Sequence, residues 1–112
     1  MAWPKKTAKN REFKRKQFEL FETIWAERPH VCSISGDPLG DQLNPWFFAH
    51  ILGKGAYSNP LMSLNPENIA LMTPDMHFKY DHQGVEGDSR FDWLLEKKQE
   101  LKEWYYHNPD IK

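Results

Sequence analysis

Two short apolar segments, separated by a loop and followed at once by a strong helix start, constrain the fold of this chain most. Residues 46–49 contain three aromatic side chains and residues 68–72 are largely apolar, so both segments predict β-strands. The loop between them contains glycines, which adopt backbone conformations that other residues avoid. Thr73 then provides an N-cap, with proline and aspartate in the first turn, so a helix is predicted up to His82, ending by Gly84. The order strand, loop, strand, helix predicts the α+β class.

Longer helical patterns flank this central element. Apolar residues recur at helical spacing over residues 8–28, with lysine and arginine on the opposite face, and again over about 89–107. Residues 31–34 favour a further short strand at the start of the core, which covers about 31–83. A chain of 112 residues has the usual size of one domain. We therefore predict a single domain, 1–112, in which a basic N-terminal helix and a C-terminal helix flank the core.

The charge of the chain is unevenly distributed. Residues 1–16 carry seven lysines and arginines against one acidic residue, so this arm has a charge of +6 and the remainder −7 within a net charge of −1. A basic arm is a candidate phosphate-binding element, because each neutralised phosphate releases counterions. A solvated tail is the alternative. The candidate nucleic-acid contacts are Lys14, Arg15 and Lys16 in the arm and Lys54 between two glycines of the central loop.

The chain contains one cysteine, Cys32. Because there is no second cysteine, an intramolecular disulfide is excluded, as are the paired-cysteine knuckles of many small zinc domains. This usage suits a reducing compartment. No long apolar run predicts a membrane span, and residues 1–6 lack the apolar stretch of a secretory signal. We therefore expect a cytoplasmic protein that makes no membrane contact.

The chemistry-bearing side chains are concentrated in the central element. His77 and Asp81 are four residues apart in the predicted helix, so their side chains lie on one face. An imidazole and a carboxylate at this spacing can hold a divalent cation and leave positions open for water and phosphate. His50 follows the first predicted strand and can accept a proton from an attacking water. Together these groups suffice for phosphodiester hydrolysis.

Three segments of the core resemble the His-Asn-His signature of the HNH endonucleases, which belong to the ββα-metal (His-Me finger) superfamily. The segments are 48–55, which contains Phe-Ala-His-Ile-Leu-Gly-Lys-Gly, then 64–74, and then 76–82, which contains Met-His-Phe-Lys-Tyr-Asp-His. The small nucleases of bacteriophages and prophages are the most similar forms. The resemblance covers about 31–83 and implies a ββα-metal core in a bacterial or phage-infected host cell.

The resemblance also implies a role for each matching residue. His50 is the expected general base, Asn68 the residue that braces the loop and the base, and His77 a metal ligand. Asp81 matches a further ligand of some subfamilies. The implied activity is metal-dependent hydrolysis of DNA to 5′-phosphate and 3′-hydroxyl ends. Mg²⁺ is the expected cofactor, with Mn²⁺, Ni²⁺ or Zn²⁺ as alternatives, and the protein is expected to act as a monomer or a homodimer.

Two features depart from the family pattern. Many members carry a metal-ligating Asp or His directly before the base, where this chain has Ala49, and the cysteine pairs that hold structural zinc are absent. Either the site is completed by Asn68, Asp81, His82 or water, or the metal is held weakly, or activity is lost. Two alternatives remain: a non-catalytic nucleic-acid-binding module on a degenerate HNH scaffold, and a structural metal-binding or protein-interaction domain.

Overall fold

The computed structural model describes residues 3–53 and 60–107, and within these ranges the side chains of residues 3–10, 60 and 61 are not described. Helices and one small antiparallel sheet make up the described part, so the α+β class is confirmed. The main elements are helix α1 (Trp3–Glu27), strand β1 (Phe48–His50), helix α2 (Pro60–Ser63), strand β2 (Ile69–Leu71), helix α3 (Pro74–Phe78) and helix α4 (Asp92–His107).

The two strands pair antiparallel, with Phe48 opposite Leu71 and His50 opposite Ile69. Because successive side chains of a strand point to opposite faces, Phe48 and His50 share one face of the sheet. Ala49 lies between them on the other face and is fully buried. The side chains of His50 and Ala49 therefore point to opposite faces of the sheet.

Each strand is preceded by the same kind of turn. An Asn-Pro pair opens a short 3-10 helix before β1 (Pro45–Phe47) and another before β2 (Pro66–Asn68). The Asn44 side chain accepts a hydrogen bond from the Trp46 N–H at 3.0 Å, and the Asn65 side chain accepts one from the Glu67 N–H at the same distance. Side-chain caps of this kind satisfy backbone donors that a helix leaves unpaired. The first strand is consequently shorter than the predicted 46–49, and it begins at Phe48.

The prediction of a strand over 31–34 is wrong. Val31 forms only an isolated antiparallel bridge with Pro38, and the chain turns at once through Gly36, whose φ of +79° favours glycine. The Ser33 N–H and hydroxyl both donate to the Leu71 carbonyl, at 2.8 and 2.7 Å. Residues 31–34 therefore contact the edge of β2 through Ser33 alone and do not pair with it as a strand.

The helix after β2 begins as the sequence predicts and then widens. The Thr73 hydroxyl accepts a hydrogen bond from the Met76 N–H at 3.4 Å, which confirms the predicted N-cap. After α3 the backbone winds into a π-helical turn, Lys79–Gln83, which ends at Gly84. Such turns widen the helix by one residue and are frequent at functional sites.

The outer helices pack on the hairpin through aromatic and aliphatic side chains. On α1, Phe21 stacks on Phe48 with ring centroids 4.2 Å apart and planes 11° apart, and Ile24 is buried beside it. On α4, Leu94 and Leu101 enter the same core. Both flanking helices therefore bury part of their apolar stripes, whereas Phe18 of α1 and Trp104 of α4 stay exposed. Helix α1 begins at Trp3 instead of residue 8. None of the helices in the described ranges is long and apolar enough to cross a membrane.

Tyr80 ties the π-helical turn to the end of β1, and this contact predicts a loss of stability in alkali. Its hydroxyl donates to the Ile51 carbonyl at 2.6 Å. Burial, together with the neighbouring carboxylate of Asp81, raises the pKa of Tyr80 to about 12. Because ionisation is harder in the folded protein, the contribution of Tyr80 is complete below pH 10 and is lost as the pH rises towards 12. The urea midpoint of the wild type is expected to fall over this range.

A Tyr80→Phe variant is expected to show a smaller alkaline fall, because phenylalanine has no proton to lose. Tyr106→Phe, at an exposed position of α4, is the control and should follow the wild type. The prediction is wrong if the three proteins lose stability in parallel between these pH values.

Candidate active site

A cavity of about 580 Å³ lies between α1, β1 and the end of α3. His50 and Phe48 of β1 contribute to its wall, as do His77 of α3, Asp81 of the π-helical turn and Gln17 of α1. Two histidines that are far apart in the sequence therefore line one concave site, together with an acidic side chain. Concave sites with a few convergent polar groups are the usual places of binding and catalysis.

His77 is oriented by the backbone before β1. Its Nδ1 lies 2.7 Å from the Trp46 carbonyl, which can only accept, so Nδ1 carries a proton and donates it. The other nitrogen, Nε2, lies 3.0 Å from the Asp81 Oδ2 atom. An unprotonated nitrogen and a carboxylate at this distance would repel each other. The contact is favourable when a proton or a cation lies between the two atoms.

The His77–Asp81 pair fits a divalent cation. Nitrogen and oxygen ligands lie about 2.0–2.2 Å from such ions, so two neighbouring ligands of an octahedral ion are about 3 Å apart. The 3.0 Å between Nε2 and Oδ2 matches this spacing. The Nδ1 hydrogen bond to a carbonyl is also the contact that metal-binding histidines usually make with their second nitrogen. In this pair the imidazole would suit a transition metal, and the carboxylate would suit Mg²⁺ or Mn²⁺.

Further protein ligands are sparse. Over residues 3–53 and 60–107, no group of three or more His, Cys, Asp or Glu side chains is arranged to hold a metal ion. His82 is on the cavity wall, where its ring lies 4.9 Å from that of Phe78, but it does not complete such a group. A cation held by His77 and Asp81 would keep several positions for water and substrate oxygens.

His50 reaches the cavity from the end of β1. Its Nε2 lies 3.0 Å from the carbonyl of Ser63, at the end of α2. Since a carbonyl only accepts, a neutral His50 carries its proton on Nε2 and its lone pair on Nδ1. The Ser63 carbonyl thus favours one tautomer of a neutral His50, as the partners of catalytic histidines commonly do.

Asn68 is fully buried and braces the chain that follows His50. Its Oδ1 accepts from the Leu52 N–H at 2.7 Å, and its Nδ2 donates to the carbonyls of Leu52 and Met62 at 3.3 and 3.2 Å. Its side chain is not on the wall of the cavity as the structure describes it. This arrangement makes Asn68 a positioning residue, because it acts through the backbone of the connection between β1 and β2.

The candidate DNA contacts of the N-terminal arm differ in their surroundings. Arg15 and Lys16 are exposed and form ion pairs along α1, with Glu19 at 2.6 Å and with Glu12 at 3.5 Å. Lys14 is exposed and has no ion pair with any side chain that the structure describes. It precedes Gln17 by three residues, so it lies on the face of α1 that borders the cavity. Lys54 lies outside the described residues.

Gln17 is a site residue that the sequence patterns did not single out. Its Nε2 is buried and has no hydrogen-bond partner within the described ranges. Buried amide donors without partners are rare, because each costs about 1–3 kcal/mol. The only sequence signal for Gln17 is its spacing of four residues from Phe21, which places both side chains on the same helix face.

No protein-family model, curated protein or solved structure matches this chain. The functional conclusion therefore depends on the arrangement of the side chains.

Proposed function

We propose that this protein is a metal-dependent endonuclease of the HNH type that hydrolyses DNA phosphodiester bonds with His50 as the general base. The observation that carries the proposal is that His50 and the His77–Asp81 pair line the same cavity. The hairpin of β1 and β2 with α3 would be the ββα-metal core, since strand, strand and helix follow in that order.

Each side chain of the cavity has a task in this reaction. His77 and Asp81 would hold a divalent cation, which neutralises the charge that builds on the phosphate. Water adds to phosphorus, Nδ1 of His50 accepts the proton of that water, and the bond from phosphorus to O3′ breaks. The departing 3′ oxygen takes a proton from solvent. The products are a 5′-phosphate and a 3′-hydroxyl.

Two residues of α1 would position the substrate. The unpartnered Nε2 of Gln17 can donate to a non-bridging oxygen of the phosphate, which would satisfy a donor that is otherwise buried without a partner. Lys14, one helical turn away, can contact the next phosphate along the strand. The face of α1 that borders the cavity would therefore follow the DNA backbone.

A second candidate is a non-catalytic nucleic-acid-binding module. It is favoured by the incomplete set of protein ligands within the described ranges, and by Ala49, which is buried on the sheet face opposite His50. Such a module would bind DNA with an affinity that falls steeply with salt, and it would not cut DNA with any metal.

The proposal is tested by incubating the protein with supercoiled plasmid and Mg²⁺, Mn²⁺, Ni²⁺ or Zn²⁺. We expect nicked or linear plasmid with at least one of these metals and intact plasmid in EDTA. An Asp81→Asn variant should need a metal concentration about 10- to 100-fold higher for half-maximal cleavage, because an amide is a weaker ligand than a carboxylate.

Asp41→Asn is the matched control, since Asp41 is exposed and does not line the cavity as described. DNA binding without cleavage under all of these conditions would favour the second candidate. Cleavage that is insensitive to both EDTA and Asp81→Asn would contradict the metal site.

A further inference from the structure

Trp46 is held on the rim of the candidate site with most of its surface open. It is 71% exposed, whereas the other large apolar side chains among the described exposed ones are between 43% and 56% exposed. It contributes to the wall of the same cavity as His50 and His77. Within the described ranges no aromatic ring stacks on its indole. With 71% of its surface exposed, this indole gains little from packing inside its own chain and is accessible to a ligand that enters the cavity.

The backbone of Trp46 is fixed from both sides. The Trp46 N–H donates to the Asn44 side chain at 3.0 Å, and its carbonyl accepts from Nδ1 of His77 at 2.7 Å. Pro45 before it restricts the backbone further. A ligand that stacks on this indole therefore orders little of the protein, which keeps the entropic cost of binding small. The hydrogen bond to His77 also ties the backbone of Trp46 to the proposed metal-binding pair, and these residues line the same cavity.

We propose that Trp46 stacks on an unpaired nucleobase next to the scissile phosphate, so that the site takes single-stranded or locally unpaired DNA. This inference rests on the proposed function and names the substrate form. A nucleotide carries a flat base and a phosphate within one unit, and here a flat indole adjoins a cavity suited to a cation and a phosphate. Indole faces bind nucleobases of any sequence by stacking.

Duplex DNA cannot make the same contact. In a continuous duplex both faces of each base are covered by neighbouring base pairs, and only base edges are open in the grooves. A base reaches an aromatic side chain when it is already unpaired or when it leaves the stack, which costs energy. The Trp46 platform consequently favours single strands, flaps and gaps over intact duplex.

The experiment measures binding in EDTA, so that cleavage plays no part. A fluorescein-labelled oligothymidylate and a labelled hairpin duplex of equal length are titrated with the wild type, Trp46→Ala, Trp46→Phe and Trp104→Ala. Trp104 is the matched control, because it is 44% exposed on α4 and lines a different cavity, beside Lys97. Circular dichroism and the melting temperature report whether each variant is folded.

Trp46→Ala is expected to weaken binding of the single strand by about 5- to 150-fold, the range that losing one base stack produces. Trp46→Phe should lose less, because a phenyl ring still stacks, and Trp104→Ala should match the wild type. Duplex binding should change little in all variants. Equal affinities of Trp46→Ala and Trp104→Ala for the oligothymidylate would overturn the inference, as would an equal loss on the duplex.

These outcomes are separate from those of the plasmid assay. A protein that cuts plasmid but loses no single-strand affinity on Trp46→Ala is a nuclease without this base site. A protein that cuts nothing but shows the selective loss on Trp46→Ala has the base site on a binding module.

Discussion

Replacing His50 by alanine is expected to lower the rate of plasmid cleavage by about 10²- to 10⁴-fold, which is the usual contribution of a general base. In the proposed reaction His50 accepts the proton of the attacking water. It is the only histidine of β1, so no neighbouring imidazole on that strand can replace it. The proposed cation ligands, His77 and Asp81, are unchanged by the substitution. Metal dependence and DNA affinity should therefore stay close to those of the wild type.

The measurement compares single-turnover cleavage rates at saturating protein. Added imidazole should restore part of the activity of His50→Ala, because a small base can enter the space left by the side chain, and a purely structural role would not respond in this way. His107→Ala, at the exposed end of α4, is the control histidine. Because His50 also contacts the Ser63 carbonyl, the melting temperature of each variant is recorded. An unchanged cleavage rate in folded His50→Ala would rule out the proposed base.

Replacing Asn68 by alanine is expected to destabilise the fold by about 3–5 kcal/mol. The substitution leaves the N–H and carbonyl of Leu52 and the carbonyl of Met62 without their side-chain partner, and both residues are buried. Each unsatisfied buried group costs about 1–3 kcal/mol, and the deleted amide adds a small void. For a chain of this length the melting temperature should fall by roughly 10–20 °C.

Two further variants make the Asn68 prediction specific. Asn68→Asp keeps the size and the acceptor for the Leu52 N–H but loses both donated hydrogen bonds, and it places a charge in the interior, so it should be at least as unstable as Asn68→Ala. Asn65→Ala removes one solvent-exposed cap hydrogen bond, at the 3-10 turn before β2, and should cost about 1 kcal/mol. Urea unfolding of the three variants provides the free energies. Equal losses for Asn65→Ala and Asn68→Ala would contradict the bracing role.

The sequence by itself determined the local elements of the core. The Thr73 cap, the end of the π-helical turn at Gly84 and the spacing of His77 and Asp81 are set by residues within one or two helical turns of each other. Because such features depend on near neighbours in the chain, capping preferences and helical periodicity were enough to predict them. The α+β class followed from the order of these elements.

Only the tertiary structure decided what surrounds the candidate site. His77 takes its orientation from the Trp46 carbonyl, 31 residues away, and Asn68 turns its amide to Leu52, 16 residues away, and not into the cavity. Gln17 reaches the wall because α1 packs across β1 through Phe21. These partners are chosen by how helices and strands pack, and packing depends on the shapes of all contacting surfaces together. Sequence spacing carries no record of such long-range contacts, so it predicted the proposed ligands of the site but not the groups that hold them in place.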